Sequence, residues 1–429
     1  MDREKMTLYE DLAWRGLISQ ATHPELAGLL EKEKFTVYAG FDPTADSLHI
    51  GSLVPLLCLV RFQRAGHTPI ALIGGATGMI GDPSFKAEER QLQTLDAVAR
   101  NVTGIEIQLR KYLDFRGSNA AIVTNNMNWL GQLRLVTFLR DIGKHFSVNA
   151  MMAKESVRAR LEDRDQGISY TEFSYQLLQA YDFLQLWDEY KCRLQIGGSD
   201  QWGNIVAGMD LTRRLRAGVD TYGLTFPLVM KADGGKFGKS ETGNVWLDAN
   251  RTSPYKFYQF WINTADADAV KFLKYFTFLS HAEIDALAEA LKSAPQERAA
   301  QKALATEMTK LVHGETALAD AVKASAAMFG GSLDGLSDAT LEDIFAGMPS
   351  AEVPRTALSA ERSLVDVLVE AGVFKSKGEA KRLVQNGGLY INNTRVDAED
   401  TKLTKQCLTT ERIAVVRTGK KNYHLLKFV

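Results

Sequence analysis

The sequence predicts an α/β protein in which a doubly wound parallel sheet is followed by an α-helical domain and a small α+β domain. Three observations predict it. Short apolar strands alternate with helical stretches in the first half, the strand signal stops near residue 253, and the charge balance changes near residue 350. At about 150 residues per domain, a chain of 429 residues is long enough for several domains, each with its own core.

The predicted strands are short and apolar, and each ends at Gly, Asp or Asn. They are 35–41, 69–74, 121–125 and 193–197, with helical stretches such as 53–65 and 169–190 between them. Because strands that alternate with helices pair in parallel, we expect a Rossmann-like sheet with ligands at the carboxyl ends of its strands. From about 253 to 327 the pattern is helical alone, which predicts a small α-helical domain.

Charge is distributed unevenly along the chain. The formal net charge of −1 argues against a uniformly basic nucleic-acid coat protein. Residues 351–429, however, carry 14 Lys and Arg against 9 Asp and Glu, which leaves the preceding residues acidic. Residues 329–361 are rich in Gly, Ser, Ala and Pro, which indicates a linker with one short helix and a boundary near 330–355. A basic tail on an acidic body suits contact with a phosphate backbone.

Several classes of protein are excluded by what the sequence lacks. Its longest compact apolar run, 53–60, has eight residues and is too short to span a membrane. The charged opening segment is not typical of a secretory signal. Cys58, Cys192 and Cys407 lie too far apart for a metal knuckle or a disulfide framework. We therefore expect a cytoplasmic protein with no metal-binding cluster.

Two polar segments carry the chemistry. The first, 42–52, contains His49 and Gly51 where a strand ends and a helix begins, so that the histidine and nearby backbone N–H groups would face an anion. The second, 236–240, has two lysines three residues apart on a glycine-rich loop that can close over a polyphosphate. Alone, each is compatible with an ordinary helix-entry histidine or a solvated hairpin tip.

Together, in this order and on this fold, the two segments resemble the HIGH and KMSKS motifs of class I aminoacyl-tRNA synthetases. Segments 38–44, 74–84, 138–149, 194–204 and 252–265 are similar to those of the bacterial tyrosyl-tRNA synthetases, and the likeness covers essentially the whole chain. The resemblance implies a Rossmann-like catalytic domain with a dimer-interface insertion (1–225), a KMSKS-type loop with an α-helical anticodon-side domain (226–328), a linker (329–354) and a tRNA-binding α+β domain (355–429).

The resemblance also implies a reaction and its binding residues. Tyrosine would react with ATP to give tyrosyl-adenylate and pyrophosphate, and the tyrosyl group would then pass to the 3′ end of tyrosine tRNA. The residues implied for tyrosine are Tyr175, Gln179 and Asp82 at the α-ammonium, Tyr38 and Asp182 at the phenolic hydroxyl, and Gln195 as support. Those implied for ATP are Asp42, His49, Gly51, Ser52, Asp200, Gln201, Lys236 and Lys239.

One helix of the predicted site has two contrasting faces. Ser169 and Glu172 form a capping-box signal at its start. The apolar stripe Phe173, Leu177, Ala180, Leu184 and Trp187 is expected to face the core. Tyr175, Gln179 and Asp182 form a polar stripe opposite to it. By itself that stripe is compatible with an ordinary solvated face, whereas the resemblance favours a substrate-binding one.

The implied chemistry explains why the sequence shows no catalytic triad. A carboxylate is already ionised at pH 7, so that tyrosine can attack the α-phosphorus of ATP without a general base. The protein must therefore supply the positioning of the substrates and the stabilisation of the charge that develops on the phosphates. Our candidates are Thr44 and His49 on the γ-phosphate side, then Lys86, Arg90, Lys236, Lys239 and Ser240 at the pyrophosphate, with Mg²⁺ bridging the phosphates. Lys86 and Arg90 are also compatible with solvated helix charges.

The tail predicts a helix followed by a hairpin. Ser376 and Glu379 form a second capping box, and a hairpin is expected over 389–396, turning at Asn392 and Asn393. This pattern resembles the small RNA-binding domain named for a ribosomal small-subunit protein. The implied RNA-binding residues are Lys377, Lys381, Arg382, Arg417, Lys420 and Lys421. The family also implies a homodimer.

Two alternative functions remain open at this point. A tryptophan-specific relative is the nearest alternative, although Tyr38 with Asp182 suits a phenol better than an indole. An RNA-binding or intron-splicing protein that keeps a synthetase body is the other. The retained Lys236, Lys239 and Asp200 disfavour loss of catalysis. Amino-acid-dependent ATP–pyrophosphate exchange distinguishes the three.

Ser52 is a departure from the family pattern that can be tested. It stands where the HIGH motif has its second histidine; Ala39 and Pro55 replace a frequent cysteine and threonine nearby. Because a serine hydroxyl still donates one hydrogen bond, we expect Ser52→Ala to raise KM for ATP while tyrosine binding is kept. Unchanged ATP affinity and activation rate in steady-state exchange assays would show that Ser52 has no such role.

Overall fold

The computed structural model describes residues 6–84, 93–154, 157–158, 161, 167–235, 237–240, 243–328, 330–360, 362–419 and 422–429. The chain forms two compact units. The first comprises Met1–Leu247 and Ala265–Glu289, and the second comprises Asp248–Thr264 and Ala290–Val429. Within the described ranges, no helix is long and apolar enough to cross a bilayer.

A six-stranded sheet forms the centre of the first unit, in the order β1-β6-β5-β2-β3-β4. Its strands are β1 (Gln20–Ala21), β2 (Thr36–Phe41), β3 (Thr68–Ile73), β4 (Ile122–Asn125), β5 (Cys192–Gly198) and β6 (Tyr222–Phe226). Strands β2 to β6 pair in parallel, whereas β1 pairs antiparallel with β6. The doubly wound sheet and its four predicted strands are confirmed, and two further strands are additions: β1 at one edge and β6 beside it.

The helices of the first unit flank this sheet. They are Leu8–Trp14, Leu26–Lys32, Leu53–Arg64, Thr77–Ile80, Leu95–Tyr112, Met127–Leu130, Leu135–Asp141, Val148–Met152, Tyr170–Tyr190, Trp202–Leu215, Asp266–Phe276 and most of His281–Ser293. Single 3₁₀ turns cover Ile50–Ser52, Gly143–His145 and Ser199–Gln201, and two short antiparallel strands, β7 (Lys239–Ser240) and β8 (Gly243–Asn244), form a hairpin.

Helix Tyr170–Tyr190 begins where the capping box predicts, because the Ser169 side chain accepts a hydrogen bond from the Glu172 N–H at 3.2 Å. Its polar stripe is not an ordinary solvated face, and its expected apolar face is only partly buried. Tyr175 and Asp182 of the polar stripe are buried, whereas Phe173 of the apolar stripe is only half-buried. Buried polar side chains need hydrogen-bond partners, and the site below provides them.

The predicted helical domain over 253–327 is also divided differently. Helices Pro254–Ile262 and Ala299–Ala327 belong to the second unit, but the segment between them, Ala265–Glu289, belongs to the first. Two buried arginines of the first unit explain this. Arg61 donates to the carbonyl of Thr277 at 2.6 Å, and Arg15 donates to that of Leu279 at 2.8 Å.

The second unit contains a five-stranded sheet in the order β11-β10-β12-β13-β9. Its strands are β9 (Ser350–Val353), β10 (Leu389–Ile391), β11 (Thr394–Arg395), β12 (Ile413–Thr418) and β13 (Asn422–Phe428). Its helices are Pro254–Ile262, Ala299–Ala327, Asp338–Ile344, Thr356–Ser359, Leu364–Glu370 and Lys377–Gln385, with 3₁₀ turns Pro295–Glu297 and Lys405–Cys407. The predicted tail helix and hairpin are confirmed.

The stretch predicted as a linker is packed rather than loose. Leu333, Leu341 and Phe345 are buried in one apolar cluster with Val415 and Leu425 of the sheet, and β9 pairs in parallel with β13. The composition was misleading because several large apolar residues of this stretch, with Leu336 and Ile344 among them, belong to this cluster.

The predicted hairpin turn also contacts the end of a helix. Asn392 and Asn393 have φ of 48° and 62°, as a tight hairpin turn requires. The Asn393 amide donates to the carbonyl of Ala327 at 3.1 Å and to that of Gly331 at 2.9 Å. The end of helix Ala299–Ala327 is therefore capped by a residue of the tail sheet.

Candidate active site

A cavity of about 360 Å³ opens at the carboxyl ends of the parallel strands in the first unit. Residues that follow β2, β3, β4, β5 and β6 all line it, as expected where the strand order of a doubly wound sheet reverses. It brings together the predicted residues Tyr38, Asp42, Thr44, His49, Gly51, Ser52, Asp82, Tyr175, Gln179, Asp182, Gln195, Asp200 and Gln201.

The innermost group of the cavity is the carboxylate of Asp182, which is 2% exposed. It accepts hydrogen bonds from the Asn126 amide at 3.0 Å and from the Trp129 indole N–H at 2.7 Å. Burial raises the pKa of the Asp182 carboxyl to about 7, although the two donors act in the opposite direction. This carboxyl therefore changes its protonation state close to neutral pH.

Two further buried polar residues line the cavity, Tyr38 and Gln195, which are paired on the neighbouring strands β2 and β5. The Tyr38 hydroxyl and the Gln195 side-chain oxygen are buried and have no hydrogen-bond partner among the residues that the structure describes. Burial, together with the charge of Asp182, raises the pKa of Tyr38 well above its ordinary value, so that its hydroxyl stays protonated. Because buried polar atoms are normally paired, the two atoms indicate a polar ligand.

Asp42 organises a second group of side chains. It accepts from the Tyr175 hydroxyl at 3.0 Å and from the Thr77 hydroxyl at 2.9 Å. Gly74 is required next to it, because a Cβ at that position would lie 2.0 Å from an Asp42 oxygen. The strand ends of β2 and β3 can therefore approach closely enough to share these contacts.

A third network surrounds Gln201. Its amide donates to Asp82 at 2.8 Å and to Asp200 at 3.1 Å, while its oxygen accepts from the Gln179 amide at 3.2 Å. Asn204 donates to Gln179 at 3.1 Å and completes the chain of contacts. Burial raises the pKa of the Asp200 carboxyl.

The charge that lines the cavity has one sign. The described lining residues include Asp42, Asp82, Asp182 and Asp200, but no lysine or arginine. Acidic groups in a concave, partly dry site attract a cation. The acidic part of the lining is therefore suited to an ammonium group, whereas positive charge for anionic phosphates has to come from residues outside the described lining.

His49 is close to its predicted place, but the expectation for the backbone around it is wrong. The Gly51 N–H donates to His49 Nδ1 at 3.0 Å, and the N–H groups of Ile50 and Ser52 donate to the carbonyls of Val245 and His49. None of these three N–H groups faces a ligand. Burial lowers the pKa of His49, so that the neutral ring accepts at Nδ1 and keeps Nε2–H as a donor.

The two predicted motifs are adjacent in the structure. His49 forms an antiparallel bridge with Trp246, and the Leu247 N–H donates to the carbonyl of Leu48 at 2.9 Å. The chain that follows the KMSKS-type segment thus runs beside the HIGH-type segment. The backbones of Lys239 and Ser240 form β7, while Lys86, Arg90 and Lys236 lie outside the described residues.

The predicted RNA-binding residues lie in the second unit. Lys377 pairs with Asp366 at 2.9 Å, and Lys381 pairs with Glu399 at 3.4 Å. Arg382 donates to a backbone carbonyl of its own helix, and the Arg417 guanidinium lies 3.8 Å from the centre of the Tyr390 ring. Lys420 and Lys421 lie outside the part of the chain that the structure describes.

Sequence reasoning missed four polar residues of the site: Asn126, Trp129, Thr77 and Asn204. Asn126 and Thr77 were detectable, because each follows the end of a strand at the same edge as the predicted residues. Asn204 lies one helical turn after the predicted Gln201. Trp129 carries no such signal, since an isolated tryptophan in a helical stretch is usually a core residue.

Two family models match the chain. The model for "tRNA synthetases class I (W and Y)" matches residues 30–330, and the model for the "Tyrosine--tRNA ligase SYY-like C-terminal domain" matches residues 340–426. The chain is 53% identical over 430 residues to the tyrosine–tRNA ligase of Bacillus caldotenax, covering 99% of this chain and 100% of that one. It is 54% identical over 425 residues to tyrosine–tRNA ligase 1 of Bacillus cereus, with the same coverage.

A solved structure is similar as well. The C-terminally truncated mitochondrial tyrosyl-tRNA synthetase of Aspergillus nidulans superposes with a TM-score of 0.66 at 30% identity, covering 75% of this chain and 93% of that chain. Sequence and fold therefore lead to the same group of enzymes.

Asp182 predicts a pH dependence of stability. Its carboxyl keeps a proton in the folded state up to about pH 7, whereas in the unfolded chain it ionises near the ordinary value of 3.8. The free energy of unfolding should therefore fall as pH rises from about 4 to about 7, by up to about 4 kcal/mol from this group, and then stay level.

Asp182→Asn should remove this pH-dependent part of the free energy of unfolding. Urea unfolding of the wild type and the variant between about pH 4 and about pH 7 measures it. A difference between wild type and variant that does not change with pH would contradict the raised pKa.

Proposed function

The chain belongs to the class I tRNA synthetases of the tryptophan and tyrosine type, and we propose that within this family it is a tyrosine–tRNA ligase. It activates tyrosine with ATP and transfers the tyrosyl group to the 3′ end of tyrosine tRNA. The observation that carries the choice of amino acid is the buried pair Tyr38 and Asp182 at the end of the cavity. The family predicted from the two motifs is confirmed by the match over residues 30–330.

The pair suits a phenol. The hydroxyl of a bound tyrosine donates to Asp182 and accepts from Tyr38, whose own hydroxyl has no other partner within the described part of the chain. Phenylalanine would leave both groups buried and unpaired, which costs far more than a missing methylene, and tyrosyl-tRNA synthetases are the usual example of this effect. Gln195 supports the same end of the pocket, where its oxygen also lacks a partner.

The acidic side chains that line the cavity bind the α-ammonium end of the amino acid. Asp82, Tyr175 and Gln179 bind the α-ammonium group, with the nearby charge of Asp42 adding to the attraction. Gln201 positions the carboxylate of the substrate, since its amide already lies between two of the acids. Asp200, at the end of β5, binds the ATP ribose.

Activation proceeds by positioning. The tyrosine carboxylate forms a bond to the α-phosphorus, and the bond from that phosphorus to the pyrophosphate oxygen breaks. Thr44 and the Nε2–H group of neutral His49 donate hydrogen bonds to the phosphates, and Gly51 and Ser52 contribute to ATP binding. The positive charge that the phosphates require comes from four side chains: Lys86, Arg90, Lys236 and Lys239. Ser240 acts with them. No proton has to be removed from the nucleophile.

Mg²⁺ enters with ATP. The described residues contain no group of three or more His, Cys, Asp and Glu side chains that could hold a metal ion. The candidate donors on the phosphate side, Thr44 and His49, are neutral, which suits phosphate oxygens. Held by the phosphates of ATP, Mg²⁺ would supply positive charge against the charge of the leaving pyrophosphate.

The tail binds tyrosine tRNA through phosphate contacts. Lys377, Lys381, Arg382 and Arg417 lie in the part of the chain that matches the C-terminal family model, and we place Lys420 and Lys421 in the same basic group. The ion pairs of Lys377 and Lys381 are half-exposed, so that phosphates can replace the acidic partners at little cost.

The enzyme acts in the cytoplasm as a homodimer. Large apolar side chains are exposed on two neighbouring helices of the first unit: Leu135 is 71% exposed, Val136 77% and Val148 57%. Exposed apolar residues concentrated in one stretch of chain indicate a protein interface, and a second copy of the chain is the simplest partner.

ATP–pyrophosphate exchange tests the activity. We expect exchange with tyrosine, and exchange with phenylalanine or tryptophan reduced by several orders of magnitude, because neither fills the polar pair. Exchange with tryptophan instead would assign the chain to the tryptophan enzymes. No exchange with any of the three would favour an RNA-binding protein that has lost catalysis.

The dimer can be tested separately. Val136→Asp should convert a dimer into a monomer, because a carboxylate would be buried in an apolar interface. Size-exclusion chromatography with light scattering measures the mass. Leu95→Asp is the matched control, since Leu95 is 69% exposed on a different helix and should leave the mass unchanged. A monomeric wild type would contradict the proposal.

A further inference from the structure

Helix Leu95–Tyr112 packs directly against the HIGH-type segment (42–52). At Gly104 of this helix an added Cβ would lie 2.0 Å from the backbone carbonyl oxygen of Asp46. Only glycine allows so close an approach of two backbones. The next residue, Ile105, lines the cavity. The helix therefore reaches the site and touches the segment that carries His49.

Gln108 lies about one turn further along the same face of the helix. It is 6% exposed. Its side-chain oxygen accepts from the Leu48 N–H at 2.8 Å, and its amide donates to the Ser47 hydroxyl at 3.0 Å. That hydroxyl donates in turn to the carbonyl of Leu48 at 2.7 Å. Both polar ends of one buried side chain are therefore bonded to the two residues that precede His49.

The contacts of Leu48 determine where the His49 ring points. The Leu48 carbonyl also accepts from the Leu247 N–H at 2.9 Å, and the His49 ring accepts from the Gly51 N–H at 3.0 Å. Leu48 is 4% exposed. Without Gln108 its N–H would be buried and unpaired, which is costly enough to move the segment toward another partner.

A second amide of the helix holds the segment near Thr44. The Asn101 amide donates to the carbonyl of Pro43 at 3.0 Å and to the side-chain oxygen of Gln93 at 3.0 Å. The Gln93 amide donates to the carbonyl of Thr44 at 2.9 Å. The carbonyls on both sides of the Thr44 N–H and Cα are thus bound, so that one helix fixes the backbone at both predicted phosphate donors.

A buried glutamine is a poor choice for stability alone, because its amide leaves water and its side chain loses rotamer freedom. An apolar residue of similar size would fill the same space. We propose that Gln108 is a positioning residue for tyrosine activation: through Leu48 it holds the HIGH-type segment so that His49 meets the phosphates of ATP, and Asn101 does the same for Thr44. This rests on the proposed function of His49 and Thr44.

The physical basis is preorganisation. Hydrogen-bond donors stabilise the charge that develops on the phosphates best when folding has already placed them, because no reorganisation is then needed during the reaction. Gln108 itself is not among the described residues that line the cavity. It should therefore influence activation without influencing tyrosine binding.

The test uses the full-length protein with Gln108→Met, which keeps the size of the side chain and removes both hydrogen bonds. We expect the rate constant of tyrosyl-adenylate formation at saturating tyrosine and ATP to fall about 10- to 100-fold, as displaced donors do. The dissociation constant of tyrosine, measured without ATP by equilibrium dialysis, should stay within about twofold of the wild-type value. Rates are expressed per tyrosine-binding site, so that loss of folded protein does not count. An unchanged rate, or a tyrosine affinity that falls as much as the rate, would overturn the proposal.

The His49→Ala background shows whether Gln108 acts through the histidine. If it does, Gln108→Met should reduce activation less than about threefold in that background, because the group that it positions is gone. Full additivity of the two losses would overturn the positioning role. A His49→Ala variant that activates tyrosine as fast as the wild type would overturn it as well.

Two further variants separate positioning from a general loss of structure. Gln108→Glu keeps a side-chain oxygen for the Leu48 N–H and should activate tyrosine faster than Gln108→Met; a rate no higher would contradict this hydrogen bond as the working contact. Asn101→Leu alters a half-buried residue at the other end of the segment. Its loss of rate should be non-additive with that of Thr44→Ala, and additive losses would contradict the role of Asn101.

Gln63→Met is the matched control. Gln63 also uses both ends of its side chain on one residue: its amide donates to the carbonyl of Asp114 at 2.6 Å, and its oxygen accepts from the Asp114 N–H at 3.0 Å. Neither residue is among those described as lining the cavity. The same substitution there should leave the activation rate within about twofold of the wild type. An equal loss at both sites would contradict a role specific to Gln108.

Wild-type exchange with tyrosine separates the two ideas. If the wild type is inactive with tyrosine, the proposed function fails. If it is active and the losses of Gln108→Met and His49→Ala are additive, only the positioning role fails.

Discussion

The buried carboxylate of Asp182 is the constraint on which the site depends. A carboxylate removed from water is costly unless donors surround it, and here the donors are Asn126 and Trp129. The Asn126 amide also donates to Thr77, which in turn donates to Asp42. One acid therefore ties together residues after β2, β3 and β4. Because Asp182 retains a raised pKa despite its donors, its burial is not fully compensated, which favours a ligand that supplies one more hydrogen bond.

Two parts of the site differ in charge, and each suits a different group of the substrates. Its described walls are acidic and suit the ammonium end of an amino acid, while the phosphates must be met by groups from the segments near His49 and Lys239. Those two segments are distant in sequence, but the bridge between His49 and Trp246 places them side by side. Activation without a general base requires this kind of site, in which charge and geometry replace proton transfer.

Much of the fold was predictable because local patterns and tertiary structure agree. The strands β2 to β5, the cap at Ser169 and the turn at Asn392 and Asn393 follow from apolar runs, a capping box and turn residues. The edge strand β1 was not predictable, since its two residues are too few to show a periodic pattern. Composition also misled at 329–354, where a few large apolar residues decide the packing. In the site, the resemblance to the family identified most residues, whereas Trp129 became visible only through its contact with Asp182, which no sequence pattern encodes.

The central claim is that Tyr38 and Asp182 together recognise a phenolic hydroxyl. The most direct measurement is the ratio of kcat/KM for tyrosine and phenylalanine in ATP–pyrophosphate exchange, compared between wild type and Tyr38→Phe. The account predicts that the variant loses about fivefold or more in kcat/KM for tyrosine, while phenylalanine is used no worse than before, so that discrimination narrows. An unchanged ratio, with both amino acids affected equally, would contradict it.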